Sequence, residues 1–210
     1  MKINKFLIAG GNSTVLIFGK KNKKLSKKYL KEVEQVGFVS NNKLQMMGGE
    51  FCVNATLALA HQLRKEGYLY TSGISNKIIY KNSKNKTKIK IPLNYKKNNN
   101  LVLFRGIGYI CIKKKPLKNS IIKLANKYNL PAFGAIVYNK NKITPYIYVK
   151  QVNSFVKETA CGSGSIAYSI FSGFNKIIQP TGEIINIKLG KLIEVSAKVT
   201  LINKENLGEI

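Results

Sequence analysis

A cysteine followed by an apolar helix occurs twice in this chain, and the repeat constrains its fold more than any other feature. The first copy is GGEFCVNATLALA at residues 48–60, in which Cys52 separates a glycine turn from an alanine- and leucine-rich run. The second copy is KETACGSGSIAYSIFSGF at residues 157–174, in which Cys161 holds the same place. A helix that is apolar nearly all round must be enclosed by other elements. The repeat therefore predicts two related lobes, and a helix enclosed by a curved sheet.

Most of the remaining chain has the pattern of β-strands. Residues 3–9 and 14–18 are β-prone runs separated by a Gly-Gly-Asn-Ser turn, as in a hairpin. Further strands are expected at 36–40, 68–74, 77–80, 86–93, 101–104, 107–112, 133–138 and 145–149.

Four helices are expected. The two apolar helices run from Asn54 to a close at Gly67 and from the segment after Cys161 to Gly173. Shorter helices are expected at 26–34, opened by Ser26, and from Ser120 to about residue 128. The linker KKKPLKNS around Pro116 predicts lobes at 1–115 and 116–210, and the final strands could cross back to the first lobe.

The net charge of +27 raises the question of a nucleic-acid partner. The excess is nearly all lysine and is spread along the chain, only Arg64 and Arg105 carry guanidinium groups, and no aromatic RNA-binding signature is present. We therefore interpret the lysines as solvated surface, with no specific nucleic-acid partner expected. The early apolar stretch FLIAG is too short for an export signal or a membrane span, which predicts a cytoplasmic protein with no membrane association.

The residue types exclude several kinds of catalytic site. The chain has no aspartate and a single histidine, His61, so a Ser-His-Asp triad, an aspartate dyad and a histidine-based metal cluster are excluded. We expect no metal and no cofactor. Its three cysteines are an odd number without an export signal, which favours reduced thiols. Cys111 lies within a predicted strand and is expected to be a structural residue.

The start of a helix changes the acidity of a cysteine thiol, which gives the positions of Cys52 and Cys161 a chemical significance. Unpaired N–H groups and the positive end of the helix dipole favour a thiolate, so we expect lowered thiol pKa values. The N–H groups of Gly162, Ser163 and Gly164 are expected to be open to a carboxylate. Two such thiols in equivalent positions are predicted to meet between the lobes.

The motifs GGEFCVNAT and ACGSGSIA resemble the paired active-site motifs of the diaminopimelate epimerase superfamily, which contains cofactor-independent amino-acid racemases. GGNSTVLIF resembles its first strand-loop-strand, and QPTGEIINI and VTLINKENLGEI resemble its closing strands, so the resemblance covers nearly the whole chain. It implies an α+β fold of two pseudo-symmetric lobes, each a curved antiparallel sheet or barrel around a central helix.

The resemblance also implies the reaction and the residues that perform it. One catalytic cysteine removes the α-proton of an amino acid and the other returns a proton to the opposite face, as two-base racemisation requires. The implied catalytic residues are Cys52 and Cys161, and N–H donors at the helix starts would stabilise the developing charge. The implied substrate-binding residues are Asn12, Glu34, Asn54, Ala55, Glu158, Gly162 and Ser163.

Departures from the family indicate the substrate. Diaminopimelate epimerases carry an arginine before the second motif, and QVNSFVKETAC contains none, although Lys150 or Lys157 could substitute imperfectly. EQVGF and the glutamate three positions before Cys161 are instead similar to the histidine racemase branch, in which the residue matching Glu34 meets the substrate side chain. Val53 stands where the family usually has glycine, which would hold the substrate carboxylate farther from the first helix.

Three alternatives stay open. The enzyme could be a diaminopimelate epimerase. It could also be an isomerase of the phenazine-pathway type that recruits Glu50 as a base, or a non-catalytic protein that binds polyanions on the same fold. The oligomeric state stays open as well, with a homodimer as one option.

Overall fold

The computed structural model describes residues 1–84 and 86–206, so residues 207–210 of the final motif lie outside it. The described residues form a mostly antiparallel sheet of 17 strands together with four α-helices. The first ten strands are β1 (Lys2–Ile8), β2 (Ser13–Phe18), β3 (Gln35–Ser40), β4 (Lys43–Met46), β5 (Glu66–Thr71), β6 (Ile78–Ser83), β7 (Lys86–Ile91), β8 (Tyr95–Asn98), β9 (Leu101–Phe104) and β10 (Ile107–Ile112). The others are β11 (Ala132–Asn139), β12 (Lys142–Val149), β13 (Ser154–Lys157), β14 (Lys176–Ile178), β15 (Ile184–Lys188), β16 (Ile193–Ala197) and β17 (Val199–Asn206). The helices are α1 (Lys23–Tyr29), α2 (Val53–Gln62), α3 (Lys118–Lys127) and α4 (Gly162–Ser172).

This mixed α+β architecture confirms the predicted class. Strands β1 and β2 form the expected antiparallel hairpin, with Lys2 opposite Phe18 and Leu7 opposite Ser13. Among the described residues, no helix has both the length and the apolar character that crossing a membrane requires.

Helix α2 is enclosed on all sides, as its sequence predicts. All eight residues from Val53 to Ala60 are buried. The helix packs against strands from both ends of the chain, including β1, β2, β7 and β17. Burial of this many apolar side chains is the main stabilising contribution that a helix of this length can receive.

Helix α4 is the counterpart of α2 in the second half. Its residues from Gly162 to Ile170 are buried, and the helix packs against β9, β10, β11 and β15. It ends at Gly173, whose φ of 80° is left-handed and whose N–H bonds the carbonyl of Ser169. This confirms the predicted end of the helix.

Three strand pairings among the described residues join the two halves of the chain: β1 with β17, β7 with β16, and β10 with β11, which run parallel. Strand β17 runs antiparallel to β1, with Asn206 opposite Lys2 and Val199 opposite Ile8. Strand β16 runs antiparallel to β7, with Ile193 opposite Ile91. The last strands therefore complete the sheet around α2, although they follow α4 in sequence. The boundary near residue 116 stays a prediction.

The boundaries predicted for three helices are wrong, each for a local reason. Helix α1 begins earlier because the Asn22 side chain accepts from the N–H groups of residues 24 and 25, and Ser26 lies inside the helix. Helix α2 stops at Gln62 because Leu63 is extended, which leaves Gly67 in β5. Helix α3 begins at Lys118 with no side-chain cap, so Ser120 does not cap it.

Candidate active site

Cys52 and Cys161 are the N-caps of α2 and α4, as predicted. The Cys52 Sγ accepts a hydrogen bond from the N–H of Ala55 at 3.4 Å, and the Cys161 Sγ accepts one from Gly164 at 3.3 Å. Four residues after each cysteine, a hydroxyl donates to the cysteine carbonyl at 2.6 Å, from Thr56 in α2 and from Ser165 in α4. The two helix starts therefore repeat the same hydrogen-bond pattern.

Both thiols line one cavity of about 420 Å³. Its wall is mostly apolar, with polar groups confined to a minority of positions. The polar and cysteine side chains that line it are Glu34, Gln35, Glu50, Cys52, Asn54, Tyr109, Gln151, Ser154, Glu158, Cys161 and Ser163. An enclosed apolar cavity with a few converging polar groups is the usual form of a small-molecule site.

The Cys52 thiol faces an amide and two carboxyl groups. Its Sγ donates to Gln35 Oε1 at 3.0 Å. Burial raises the pKa of the thiol, the N–H groups of the helix start lower it, and the charges of Glu50 and Glu158 raise it further. Burial has the largest effect.

The Cys161 thiol faces two hydroxyls and one carboxyl group. Tyr109 Oη lies 3.7 Å and Ser163 Oγ 3.9 Å from its Sγ. Burial raises the pKa of this thiol most, and the neighbouring Glu158 raises it further. The Gly164 N–H and the Tyr109 hydroxyl act in the opposite direction.

The lowered thiol pKa expected from the helix starts is therefore wrong for both cysteines. The expected N–H donors are present. However, the desolvation of the thiolate costs more free energy than one or two such hydrogen bonds contribute. Burial therefore favours the neutral form of both thiols. A further positive charge or hydrogen-bond donor beside either sulfur would favour its thiolate.

Glu34 is held by both halves of the chain. Asn12 Nδ2 donates to its Oε2 at 2.7 Å, and the Thr159 hydroxyl donates to its Oε1 at 2.6 Å. Burial raises the pKa of Glu34, and these two hydrogen bonds partly offset the rise. Asn12 itself is fully buried behind Glu34 and accepts from Thr14 at 2.9 Å, so it orients the carboxylate from outside the cavity.

Glu158 is the most deeply buried of the three cavity glutamates, with 6% of its surface exposed. Its Oε1 accepts from Gln35 Nε2 at 3.3 Å, and its Oε2 has no hydrogen-bond partner among the described residues. Burial raises its pKa to about 8, an effect to which the charge of Glu34 adds and which the nearby Cys161 thiol and the Gln35 amide oppose. Burial also raises the pKa of Glu50.

The motif residues beside the cysteines divide into two groups. Ser163 lines the cavity, and its N–H has no partner among the described residues. Asn54 also lines it, but its Nδ2 donates to the Ala160 carbonyl and its Oδ1 accepts from the Gly162 N–H, both at 3.0 Å. Ala55 and Gly162 do not line the cavity, and their N–H groups are already bonded. Of the Gly162–Ser163–Gly164 trio, only Ser163 keeps the open N–H that its sequence predicts.

The electrostatic character of the cavity favours a cation. Three carboxyl groups line it, and no lysine or arginine does so within residues 1–84 and 86–206. Lys150 and Lys157, which could have taken the place of a missing arginine, are absent from the lining. A ligand with a distal carboxylate would meet no cationic partner in this cavity.

Sequence reasoning missed Gln35 and Tyr109. Gln35 lies between Cys52 and Glu158, and Tyr109 lies against Cys161. Gln35 stands next to Glu34 in the motif EQVGF, which could have identified it, whereas nothing in the pattern of β10 distinguishes Tyr109. Cys111 and His61 lie outside the lining, and His61 Nδ1 is 3.1 Å from the Thr87 hydroxyl.

The sequence of this chain is similar to sequences of proteins that bear the name histidine racemase. Residues 11–105 match the family described as the histidine racemase CntK N-terminal domain. A protein from Fusobacterium nucleatum subsp. nucleatum that bears the name histidine racemase is 35% identical over 220 residues, covering 82% of this chain and 83% of that protein.

Solved structures show the same fold at low sequence identity. A phenazine biosynthesis PhzC/PhzF protein from Clostridium difficile superposes with a TM-score of 0.65 at 14% identity and covers 100% of both chains. A probable proline racemase from Agrobacterium radiobacter K84 superposes with a TM-score of 0.60 at 8% identity, covering 99% of this chain and 92% of the other.

Proposed function

The chain belongs to the histidine racemase family, and from that premise we propose that it interconverts L- and D-histidine between Cys52 and Cys161 without a cofactor. The observation that carries this proposal is the pair of equivalent helix starts, each with a cysteine N-cap, that open into one cavity. We further propose that α2 and α4, each with its own strands, form two lobes related by a pseudo-twofold axis, as in the diaminopimelate epimerase superfamily.

In the proposed reaction, the α-carbon of the substrate lies between the two sulfur atoms. The thiolate of one cysteine takes the α-proton and becomes a thiol, and the other cysteine gives its proton to the opposite face and becomes a thiolate. The negative charge that develops between these transfers spreads into the substrate carboxylate. The open Ser163 N–H at the start of α4 is a suitable donor for that carboxylate.

Substrate binding supplies the positive charge that the thiols lack. The α-ammonium of an amino acid would enter a cavity lined by Glu34, Glu50 and Glu158 and by no basic side chain. Glu158 is suited to receive it, because the ammonium would stabilise the carboxylate form that burial disfavours, and this carboxyl group acts on both Cys161 and Cys52. A cation beside the thiols lowers the pKa that burial raises, so thiol deprotonation becomes coupled to substrate binding.

Glu34 is suited to the imidazole ring. Its two oxygens are fixed by Asn12 and Thr159, so the carboxylate is oriented before substrate arrives. A carboxylate that meets an imidazole N–H gives a charge-assisted hydrogen bond. Diaminopimelate would instead bring a second carboxylate against Glu34.

The test is solvent-deuterium incorporation at the α-carbon of L-histidine, L-lysine, L-alanine and LL-diaminopimelate. Histidine should exchange fastest and should racemise. Cys52→Ala and Cys161→Ala should each abolish racemisation and keep the circular dichroism spectrum of the wild type, whereas Cys111→Ala should stay active. A wild type that exchanges diaminopimelate fastest would assign the protein to the epimerases. Normal racemisation by either Cys52→Ala or Cys161→Ala would exclude the two-base mechanism.

A further inference from the structure

One buried hydroxyl beside Cys161 has no part in the mechanism above. Tyr109 belongs to β10, has no exposed surface, and lines the cavity. Its Oη is 2.6 Å from Ser163 Oγ and 3.7 Å from Cys161 Sγ. A buried tyrosine hydroxyl usually has a specific hydrogen-bond partner, and here the partners are a serine and a catalytic thiol.

The two hydroxyls carry two protons, and the short contact between them uses one. If Ser163 donates to Tyr109, the Tyr109 O–H is free to point at the sulfur. If Tyr109 donates to Ser163, the Ser163 O–H points at the same sulfur from 3.9 Å. Either arrangement leaves one O–H free to point at the Cys161 sulfur, and a thiolate gains more from such a donor than a thiol does.

Cys52 lacks this arrangement within the described residues. Its polar side-chain partner is the carbonyl oxygen of Gln35, which accepts the thiol proton and so favours the neutral form. Tyr109 lowers the pKa of Cys161, and Cys161 in turn raises the pKa of Tyr109, as expected when the tyrosine is the donor. The two helix starts match in their backbone, but the side chains around the two thiols differ.

We propose that Tyr109 is a positioning residue for racemisation: its hydroxyl, held by Ser163, stabilises the Cys161 thiolate and has no equivalent at Cys52 among the residues that the structure describes. This inference rests on the proposed function, since it concerns the enzyme form in which Cys161 carries the negative charge. Tyr109 belongs to strand β10, outside both cysteine motifs, and its hydroxyl contacts the sulfur of Cys161.

The experiment measures the rate at which iodoacetamide alkylates each cysteine between pH 6.5 and 9.5, resolved by peptide mass spectrometry. Tyr109→Phe should slow the alkylation of Cys161 roughly three- to tenfold at each pH in this range, as the loss of one hydrogen bond predicts. The rate at Cys52 should not change.

Tyr168→Phe is the matched control, because Tyr168 is a buried tyrosine on α4 whose hydroxyl donates to the Lys140 carbonyl instead. It should leave both alkylation rates unchanged. Ser163→Ala is the second test variant and should slow Cys161 in the same direction, so the proposal stays testable if Tyr109→Phe does not fold. An unchanged Cys161 rate in the folded variants, or an equal loss at both cysteines, would overturn it.

The alkylation rates test the role of Tyr109, and the exchange of the histidine α-proton tests the proposed function, so the two proposals can be disproved separately. If the wild type does not exchange the α-proton of histidine, the proposed function is wrong, and the alkylation rates still report whether Tyr109 acts on Cys161. If histidine exchanges normally and Tyr109→Phe leaves the Cys161 rate unchanged, the positioning role is wrong and the proposed function stands.

Discussion

Val53 and Gly162, the first residues of α2 and α4, pack directly against each other. A methyl group built on Gly162 would lie 2.4 Å from Val53 Cγ1 and 2.8 Å from Val53 Cβ. The bulk of the Val53 side chain is therefore accommodated by a glycine on the opposite helix. Together with the Asn54 side chain, which accepts from the Gly162 N–H at 3.0 Å, this contact sets how closely the two cysteine caps approach.

We expect Gly162→Ala to separate the helix starts. The added methyl group overpacks the contact with Val53, which should lower the free energy of unfolding by about 1 to 3 kcal/mol and reduce racemisation. The double variant Gly162→Ala with Val53→Ala should recover part of both losses, because it removes Val53 Cγ1, the closest opposing atom, and leaves Cβ. Urea denaturation and α-proton exchange measure the two effects. A double variant no better than Gly162→Ala alone would show that the contact with Val53 is not the cause.

Glu34→Gln should weaken catalysis on histidine selectively. If Glu34 bonds the imidazole, loss of its charge should lower kcat/KM for histidine. The decrease should correspond to about 1 to 3 kcal/mol of transition-state stabilisation. Any residual exchange of alanine, which cannot reach position 34, should change much less. Glu32→Gln, at an exposed neighbouring glutamate, is the control. Equal impairment on every substrate would remove the side-chain role from Glu34.

Gln35→Met should remove a hydrogen bond from the Cys52 thiol and another from the Glu158 carboxyl group. Methionine keeps the length of the side chain but offers neither an acceptor for the Cys52 thiol nor a donor for Glu158. We expect kcat/KM for histidine to fall about tenfold, or roughly 1.4 kcal/mol, with little loss of stability. Gln45→Met, at an exposed glutamine of β4, should behave as the wild type. Wild-type kinetics in Gln35→Met would show that Gln35 lines the cavity without contributing to catalysis.

The buried carboxyl of Glu158 should make stability depend on pH. Burial raises its pKa from 4.5 to about 8, so between these values the folded protein binds a proton that the unfolded chain has released. The contribution of this group is therefore fully present below about pH 4.5 and is lost as the pH rises to about 8. The free energy of unfolding should fall over this range by on the order of 1 to 4 kcal/mol more in the wild type than in Glu158→Gln. Urea titrations at pH 5.5 and 8 test this, and parallel curves for the two proteins would contradict it.

Much of the architecture could be predicted because its signals are local. An apolar run bounded by a cysteine and a glycine specifies α4 from Gly162 to Ser172, since capping and left-handed termination depend on a few adjacent residues. The ends of α1 and α2 could not be predicted as well. Asn22 and Ser26 are both suitable N-cap residues for α1, and it is Asn22 that accepts the N–H hydrogen bond. At the end of α2, Asn82 from a distant strand donates hydrogen bonds to two backbone carbonyls.

The candidate site shows the same division. That two cysteines precede two apolar helices follows from the local sequence, because neighbouring residues set a helix start and its N–H donors. The pKa values of the thiols depend on the folded structure, since desolvation depends on how many distant atoms surround a group and here it outweighs the helix N–H donors. It also decided that Gln35 of β3 serves Cys52 and Tyr109 of β10 serves Cys161, because strand pairing brings together residues far apart in sequence.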